Sequence, residues 1–225
     1  MFDASVWHSS VVSKFESSSG FNRYRVEDKK YRGRLIPLCT PASIECDALV
    51  IGTNHSDFID GGGAASERIA QGFATGNKEE RHTLLDDNHK FARNLRSLCA
   101  RAGHPVTKTW VSTNRSPVQG GPVGAGAFQG AAWYKELETF MDQMLCQLIG
   151  ELKPRNVVLC GNYAARLLYG SRAEISKIAP RLMKLNYLNQ KDGSIESFMV
   201  NAIPVWHPSR VRYSYAEIIK DAWKA

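Results

Sequence analysis

The sequence lacks the features that mark several common protein classes. Its five cysteines, Cys39, Cys46, Cys99, Cys146 and Cys160, are scattered and include no C-x-x-C pair. This spacing predicts free thiols in a reducing compartment and argues against an iron–sulfur cluster held by four cysteines. No run approaches the ~18 continuous apolar residues of a membrane span, and the N-terminus has no long apolar signal region. We therefore expect a cytoplasmic protein that is not secreted.

Three signatures of other enzyme classes are also missing from the chain. There is no G-x-G-x-x-G, no Walker sequence and no G-x-S-x-G. These absences argue against a dinucleotide-binding enzyme, a P-loop NTPase and a hydrolase with a serine nucleophile. An unrelated doubly wound hydrolase or nucleotide-binding enzyme stays as a less favoured alternative.

Acidic residues are outnumbered by basic ones. The 225 residues include 29 lysines and arginines against 22 acidic side chains, for a formal net charge of +7. This balance suits a polyanionic partner such as DNA, because basic side chains near phosphates release condensed counterions. Many mildly basic proteins bind no nucleic acid, so charge alone does not decide the partner. With 43% hydrophobic residues, the chain is long enough for one sizeable α/β domain.

Residues 1–45 form the least regular part of the sequence and are predicted to be a basic N-terminal extension to a domain over 46–225. Between positions 14 and 34, seven basic residues stand against three acidic ones. Tyr24 and Tyr31 lie among these charges, and aromatic rings among cations can stack on nucleic-acid bases. The alternative is a solvated extension packed by its tyrosines.

The hydrophobic pattern beyond residue 45 predicts alternating strands and helices. Strands are expected at 48–51, 106–111 and 156–160, with a hairpin over 183–206 that leads into the last core strand. Helices are expected at 88–102, 131–152, 161–168 and 215–224. The apolar stripe over 131–152 is the most regular of these patterns.

Two short polar motifs each follow an apolar, strand-like run. Residues 52–56 read Gly-Thr-Asn-His-Ser after the strand at 48–51, and residues 207–210 read His-Pro-Ser-Arg after a run over 200–206. Open α/β sheets bind their ligands at the carboxyl ends of strands. We therefore expect the two motifs to lie on loops and to form one active site, although they are more than 150 residues apart.

This pair of motifs resembles the uracil-DNA glycosylase superfamily. Its first motif reads GQDPY, GEAPG, GINPG or GMNPG in different families, and its second is commonly HPS-like. The resemblance covers about residues 46–215. It implies a three-layer α/β/α sandwich with a central, mainly parallel four-stranded sheet. It also implies a monomeric, monofunctional DNA glycosylase that uses water, with no metal or other cofactor and with DNA as its partner.

Hydrolysis of an N-glycosidic bond needs a positioned water and a group that accommodates negative charge on the departing base. By resemblance, Asn54 orients the water and His207 donates a hydrogen bond to the base O2, in a charge state that the sequence does not fix. Asparagine cannot accept the proton of water, so Asp57 is the second choice if a general base exists. Asn54 as the cap of a turn is the structural alternative.

The first motif also predicts an unusual base pocket. The resemblance places Gly52 against the backbone of the flipped nucleotide, and Thr53 and Ser56 at the base. Where GQDPY-type members have Pro-Tyr, with a tyrosine that excludes a substituent at C5, this chain has His55 and the small Ser56. The pocket is therefore expected to admit uracil or a C5-modified pyrimidine, including a hypermodified phage cytosine. The corresponding roles are base-excision repair and antiviral defence.

Reading of the base edge is expected from the end of the second core strand. Asn114 is the first choice and Ser112 the alternative, because an amide both donates and accepts hydrogen bonds. Phe58 is a candidate to stack on the flipped base, with a core role as the equal alternative.

Base flipping also requires contacts to the duplex around the extruded nucleotide. Candidates are Ser209 at a flanking phosphate, with Arg210, Arg212 and Arg115 as further DNA contacts. A second functional reading is a catalytically weak nucleic-acid-binding protein of the same fold, because residues 54–56 depart from the most active motif.

Overall fold

The computed structural model describes most of the predicted elements. It covers residues 2–27, 35–40, 42, 45–56, 82–86, 90–120, 131–208 and 214–223, with the backbone alone at 24–27, 54–56, 83, 119 and 120. The elements along these residues are α1 (Ala4–Glu16), α2 (Ser19–Glu27), β1 (Ala48–Ser56), α3 (Thr83–Asp86), α4 (Lys90–Arg101), β2 (Trp110–Gly120), α5 (Ala132–Leu152), β3 (Asn156–Cys160), α6 (Asn162–Tyr169), β4 (Arg181–Leu188), β5 (Ile195–Val205) and α7 (Tyr215–Ala222).

The strands form one sheet in the order β2-β1-β3-β5-β4. The first four of these are mutually parallel, and β4 pairs antiparallel with β5. The α/β class is confirmed, but the four strands that the resemblance implies are wrong, because β4, the first arm of the hairpin predicted over 183–206, pairs with β5 and adds a fifth strand. Leu182 and Leu188 on β4 are exposed, at 57% and 52%. β4 is therefore an edge strand with one face in solvent.

Both faces of the sheet are covered by apolar cores. On β1, Leu49 and Ile51 belong to a cluster that includes side chains of α1, α5 and α6. Ala48 and Val50 point the other way and pack with side chains of α3, α4 and α7. Because side chains alternate along a strand, this division places helices on both faces of the sheet.

Several local predictions are confirmed, and the second strand is not. The helix predicted over 131–152 corresponds to α5, and the strand at 156–160 is β3, with all of its residues buried. The second strand was predicted at 106–111 but runs from Trp110 to Gly120. Its polar residues are satisfied by an earlier segment: the Ser112 amide donates to Thr40 Oγ1 at 2.7 Å, and Thr113 Oγ1 donates to the Pro37 carbonyl.

The segment predicted as a basic N-terminal extension contains two helices, α1 and α2, whose apolar side chains pack into the main core. Trp7, Phe15 and Phe21 from α1 and α2 are fully buried in the same cluster as Leu49 of β1. The indole of Trp7 also donates to the carbonyl of Met144 in α5 at 2.8 Å. The predicted boundary after residue 45 therefore does not separate two cores.

The tyrosines proposed to stack on bases lie outside the part of the chain whose side chains the structure describes. Among the described helices, none is both long and apolar enough to cross a bilayer.

Candidate active site

The carboxyl ends of β1 and β3 form the topological switch point of the sheet. The chain passes from β1 to β2 on one side and returns to β3 on the other side. In open α/β sheets this crossing opens a crevice in which ligands bind. Gly52 and Thr53 lie in β1 on one side of that crevice, and Gly161 follows β3 on the other.

Gly161 is the point at which the two sequence motifs meet. A Cβ atom placed on Gly161 would lie 3.5 Å from Cβ of His207 and 3.8 Å from Oγ1 of Thr53. Gly161 has a φ of 94°, a backbone conformation that residues with a side chain rarely adopt. Its amide donates a hydrogen bond to the Val205 carbonyl at 2.8 Å. The turn therefore needs glycine, and it brings the loop after β5 against the end of β1.

Helix α4 supports the loop that carries His207. The ring of Phe91 lies 5.3 Å from the imidazole of His207, measured between centroids, and the Asn94 amide donates to the Pro208 carbonyl at 2.8 Å. These contacts fix the position of a half-buried imidazole at the crevice. Sequence reasoning missed both α4 residues. Both lie in the helix predicted over 88–102, where nothing in the local pattern distinguishes Phe91 from a core residue or Asn94 from a solvated polar residue.

Asn114 lies on β2 directly beside Gly52 on β1. Its Nδ2 donates to Sγ of Cys39 at 3.2 Å, and its Oδ1 occupies the space next to Gly52, 2.3 Å from where a Cβ would stand. Gly52 was expected to admit the backbone of a nucleotide. The structure shows that its missing side chain makes room for the amide of Asn114.

Ser112 is placed less favourably than Asn114 for reading a ligand. It pairs with Val50, two residues before Gly52, and is therefore about 6.6 Å further from the carboxyl end of the sheet. Its carbonyl accepts from the Cys39 amide at 2.8 Å, within the pairing of residues 35–40 against β2. Of the two candidates, the register brings Asn114 next to Gly52 of the first motif.

Arg115 is an interior residue, which contradicts its predicted contact with DNA. The guanidinium donates to both carboxylate oxygens of Asp142, at 2.8 and 2.6 Å, and to the Tyr163 carbonyl at 2.9 Å. Burial disfavours the charged guanidinium, but the hydrogen bond and the negative charge of Asp142 outweigh this and raise the pKa of Arg115. With 8% of its side chain exposed, Arg115 connects β2 to α5 and α6.

The first motif continues β1 rather than forming the loop that we predicted. The backbone of Asn54 pairs with Ser116 and that of Ser56 with Gly120, and the register shifts between these two pairs. Such irregularities re-aim side chains and are common beside active sites. The remaining candidates, Asp57, Phe58, Ser209, Arg210 and Arg212, lie outside the described residues.

The site combines a hydroxyl at Thr53, an amide at Asn114 and an imidazole at His207. The N-terminus of α6 follows Gly161, and the amides of a helix's first turn, which have no partner within the helix, carry partial positive charge. This set can hold a polar ligand and stabilise negative charge that develops on it.

Within the described ranges, no group of three or more histidine, cysteine and acidic side chains could hold a metal ion. Comparison of the chain with protein-family models and with curated proteins gives no match.

Proposed function

We propose that the protein is a DNA glycosylase of the uracil-DNA glycosylase superfamily, with the three-layer α/β/α fold of that group. The observation that carries this proposal is the meeting of Thr53, Gly161 and His207 at the switch point of the sheet. Two motifs selected from distant parts of the sequence thus belong to one crevice, in the order and strand context of the superfamily.

The proposed reaction is hydrolysis of the bond between C1′ of deoxyribose and N1 of a flipped pyrimidine. The oxygen of water bonds to C1′, the C1′–N1 bond breaks, and its electron pair leaves with the base. His207 donates a hydrogen bond to O2 of the base, where negative charge develops. Asn54 orients the water, and the water proton passes to the departing base or, if Asp57 acts as general base, to its carboxylate.

The proposed substrate is uracil or a pyrimidine that carries a substituent at C5. The small Ser56 in the first motif motivates the second class, because a bulky residue there would occupy the space next to C5. Asn114 supports recognition of a pyrimidine edge, since it lies within β2 directly opposite Gly52 of the first motif. Removal of uracil would serve base-excision repair, and removal of a hypermodified phage cytosine would serve antiviral defence.

Labelled single-stranded and duplex oligonucleotides test this proposal. They contain uracil, 5-hydroxymethylcytosine, its glucosylated form, thymine or cytosine, and alkali converts abasic sites into strand breaks. We expect cleavage at uracil or at one of the modified pyrimidines. If activity on uracil disappears with any C5 substituent, the proposal of a widened pocket is refuted. If no substrate is cleaved, the proposal that the protein is a glycosylase is refuted.

Variants of His207 separate catalysis from binding. His207→Ala should lower the single-turnover rate by about 10²–10³, the usual loss for one donor to a developing anion. His207→Gln should retain part of the rate, because its amide also donates. His104→Ala is the matched control, because His104 stacks on Trp223 at a centroid distance of 4.6 Å and lies outside the crevice. Binding without cleavage in the unmodified protein would instead favour the nucleic-acid-binding reading.

A further inference from the structure

The exposed face of α4 carries positive charge and no negative charge. The helix reads Lys-Phe-Ala-Arg-Asn-Leu-Arg-Ser-Leu-Cys-Ala-Arg from Lys90 to Arg101, without an acidic residue. Lys90 and Arg93 are exposed in its first turn, while Leu95 and Leu98 on the opposite side are buried. Since residues three apart lie on one side of a helix, Lys90 and Arg93 form a basic pair at its N-terminal end.

This pair lies at the edge of the candidate active site. Phe91 and Asn94, from the same turn of α4, contact His207 and the Pro208 carbonyl. Successive helix residues are separated by about 100°, so Lys90 stands next to Asn94 around the helix axis while pointing to solvent. The basic pair therefore borders the loop that carries the imidazole.

The electrostatics of the pair favour an anionic ligand. The N-terminus of a helix already carries partial positive charge, which an acidic residue would normally offset, and two cations there add to it. Within the described chain, neither Lys90 nor Arg93 forms an ion pair. Arg96 behaves differently, because its guanidinium donates to the Leu84 carbonyl at 2.6 Å and so fixes α3 to α4.

We propose that Lys90 and Arg93 bind the phosphodiester backbone of the nucleic acid that flanks the flipped nucleotide. This inference rests on the proposed function and adds a second backbone contact, separate from the residues that follow His207. Basic side chains with no acidic neighbour on their helix suit a row of phosphates. Because Lys90 and Arg93 are in the same helix turn as Phe91 and Asn94, which contact the His207 loop, phosphates bound to them would lie next to the crevice.

The salt dependence of DNA binding tests this assignment. Each phosphate contact contributes about 0.9 to the slope of log affinity against log salt for duplex DNA and about 0.7 for single strands. The double variant K90Q/R93Q should therefore lower the magnitude of the slope by about 1.4–1.8. The control is K108Q/R155Q, which also removes two exposed positive charges. Lys108 and Arg155 precede β2 and β3, so they lie at the amino ends of the parallel strands, opposite the crevice. Its slope should stay near that of the unmodified protein.

Single-turnover base release at saturating DNA provides the second measurement. K90Q/R93Q should keep the maximal rate while needing more DNA to reach it, and K90E/R93E should need more still. A salt slope that is unchanged in K90Q/R93Q, or lowered equally in K108Q/R155Q, would overturn the assignment of phosphate binding to Lys90 and Arg93. The glycosylase proposal would still stand if the protein releases bases. If the unmodified protein neither binds DNA nor releases a base, both proposals fail.

Discussion

Replacing Gly52 with alanine should displace the amide of Asn114 from its position beside β1 in the candidate active site. The new Cβ would stand 2.3 Å from Oδ1 of Asn114, whereas ordinary contacts begin at 3.4 Å. The amide must therefore move by about 1 Å. Because Asn114 is 8% exposed and its Nδ2 donates to Cys39, that movement strains or breaks a buried hydrogen bond.

Two contributions set the loss in the free energy of unfolding of Gly52→Ala. Overpacking of a well-packed site costs about 1–3 kcal/mol, and a lost hydrogen bond costs about 1 kcal/mol. Part of the strain is relieved by the movement itself, so we expect a loss of about 2 kcal/mol in the free energy of unfolding. In a chain of this length, that corresponds to a decrease in Tm of about 4–8 °C.

A double-mutant cycle isolates the contact between the two residues. Urea denaturation gives the free energy of unfolding for the unmodified protein, Gly52→Ala, Asn114→Ala and the double variant. With the amide removed, the added methyl group should cost less than about 0.5 kcal/mol, so the coupling should exceed 1 kcal/mol. Base release should fall in both single variants, because both remove the amide from its position. Equal costs of Gly52→Ala in the two backgrounds would refute the reasoning.

Three further predictions concern stability. Asp142→Ala should lower the free energy of unfolding by about 3 kcal/mol, because the buried guanidinium of Arg115 loses its bidentate partner and keeps only the longer ion pair with Glu138, at 3.6 Å. Urea denaturation measures this, and a loss below about 1 kcal/mol would contradict it. Gly150→Ala should lower the free energy of unfolding by about 1–3 kcal/mol, because the new Cβ would lie 2.2 Å from the ring of Tyr187. This cost outweighs the better helix propensity of alanine. A gain in Tm would contradict the prediction and show that the ring moves freely. Burial lowers the pKa of His82 below its ordinary 6.5, so the unfolded state binds more protons there and stability should fall as the pH drops below about 6.5. His82→Gln should lose less stability than the unmodified protein between pH 7 and pH 5, and equal losses would exclude this residue as the cause.

The elements that sequence reasoning predicted correctly are those whose signal is local. Helix α5 has a long apolar stripe, and β3 is a continuous apolar run because both of its faces are buried. The meeting of the two motifs was also predictable, since parallel strands share a carboxyl edge. These inferences need only periodicity and the rule for where ligands bind.

The elements that were missed depend on distant partners. The polar half of β2 is a strand because residues 35–40 satisfy it along its outer edge, and its own composition gives no sign of that. The ion pair of Arg115 needs Asp142, which lies 27 residues later on α5. The same holds for Cys39, whose contact with Asn114 joins positions 75 residues apart. A single sequence does not reveal such pairs.

Mass spectrometry of the reaction products tests the glycosylase proposal most directly. The protein is incubated with oligonucleotides that contain uracil or a C5-modified cytosine, and both the free bases and the intact strands are weighed. We predict release of the unaltered base and a strand whose mass has lost that base and gained one water, with both signals strongly reduced in His207→Ala. Strands that bind the protein yet keep their original mass would contradict the proposal.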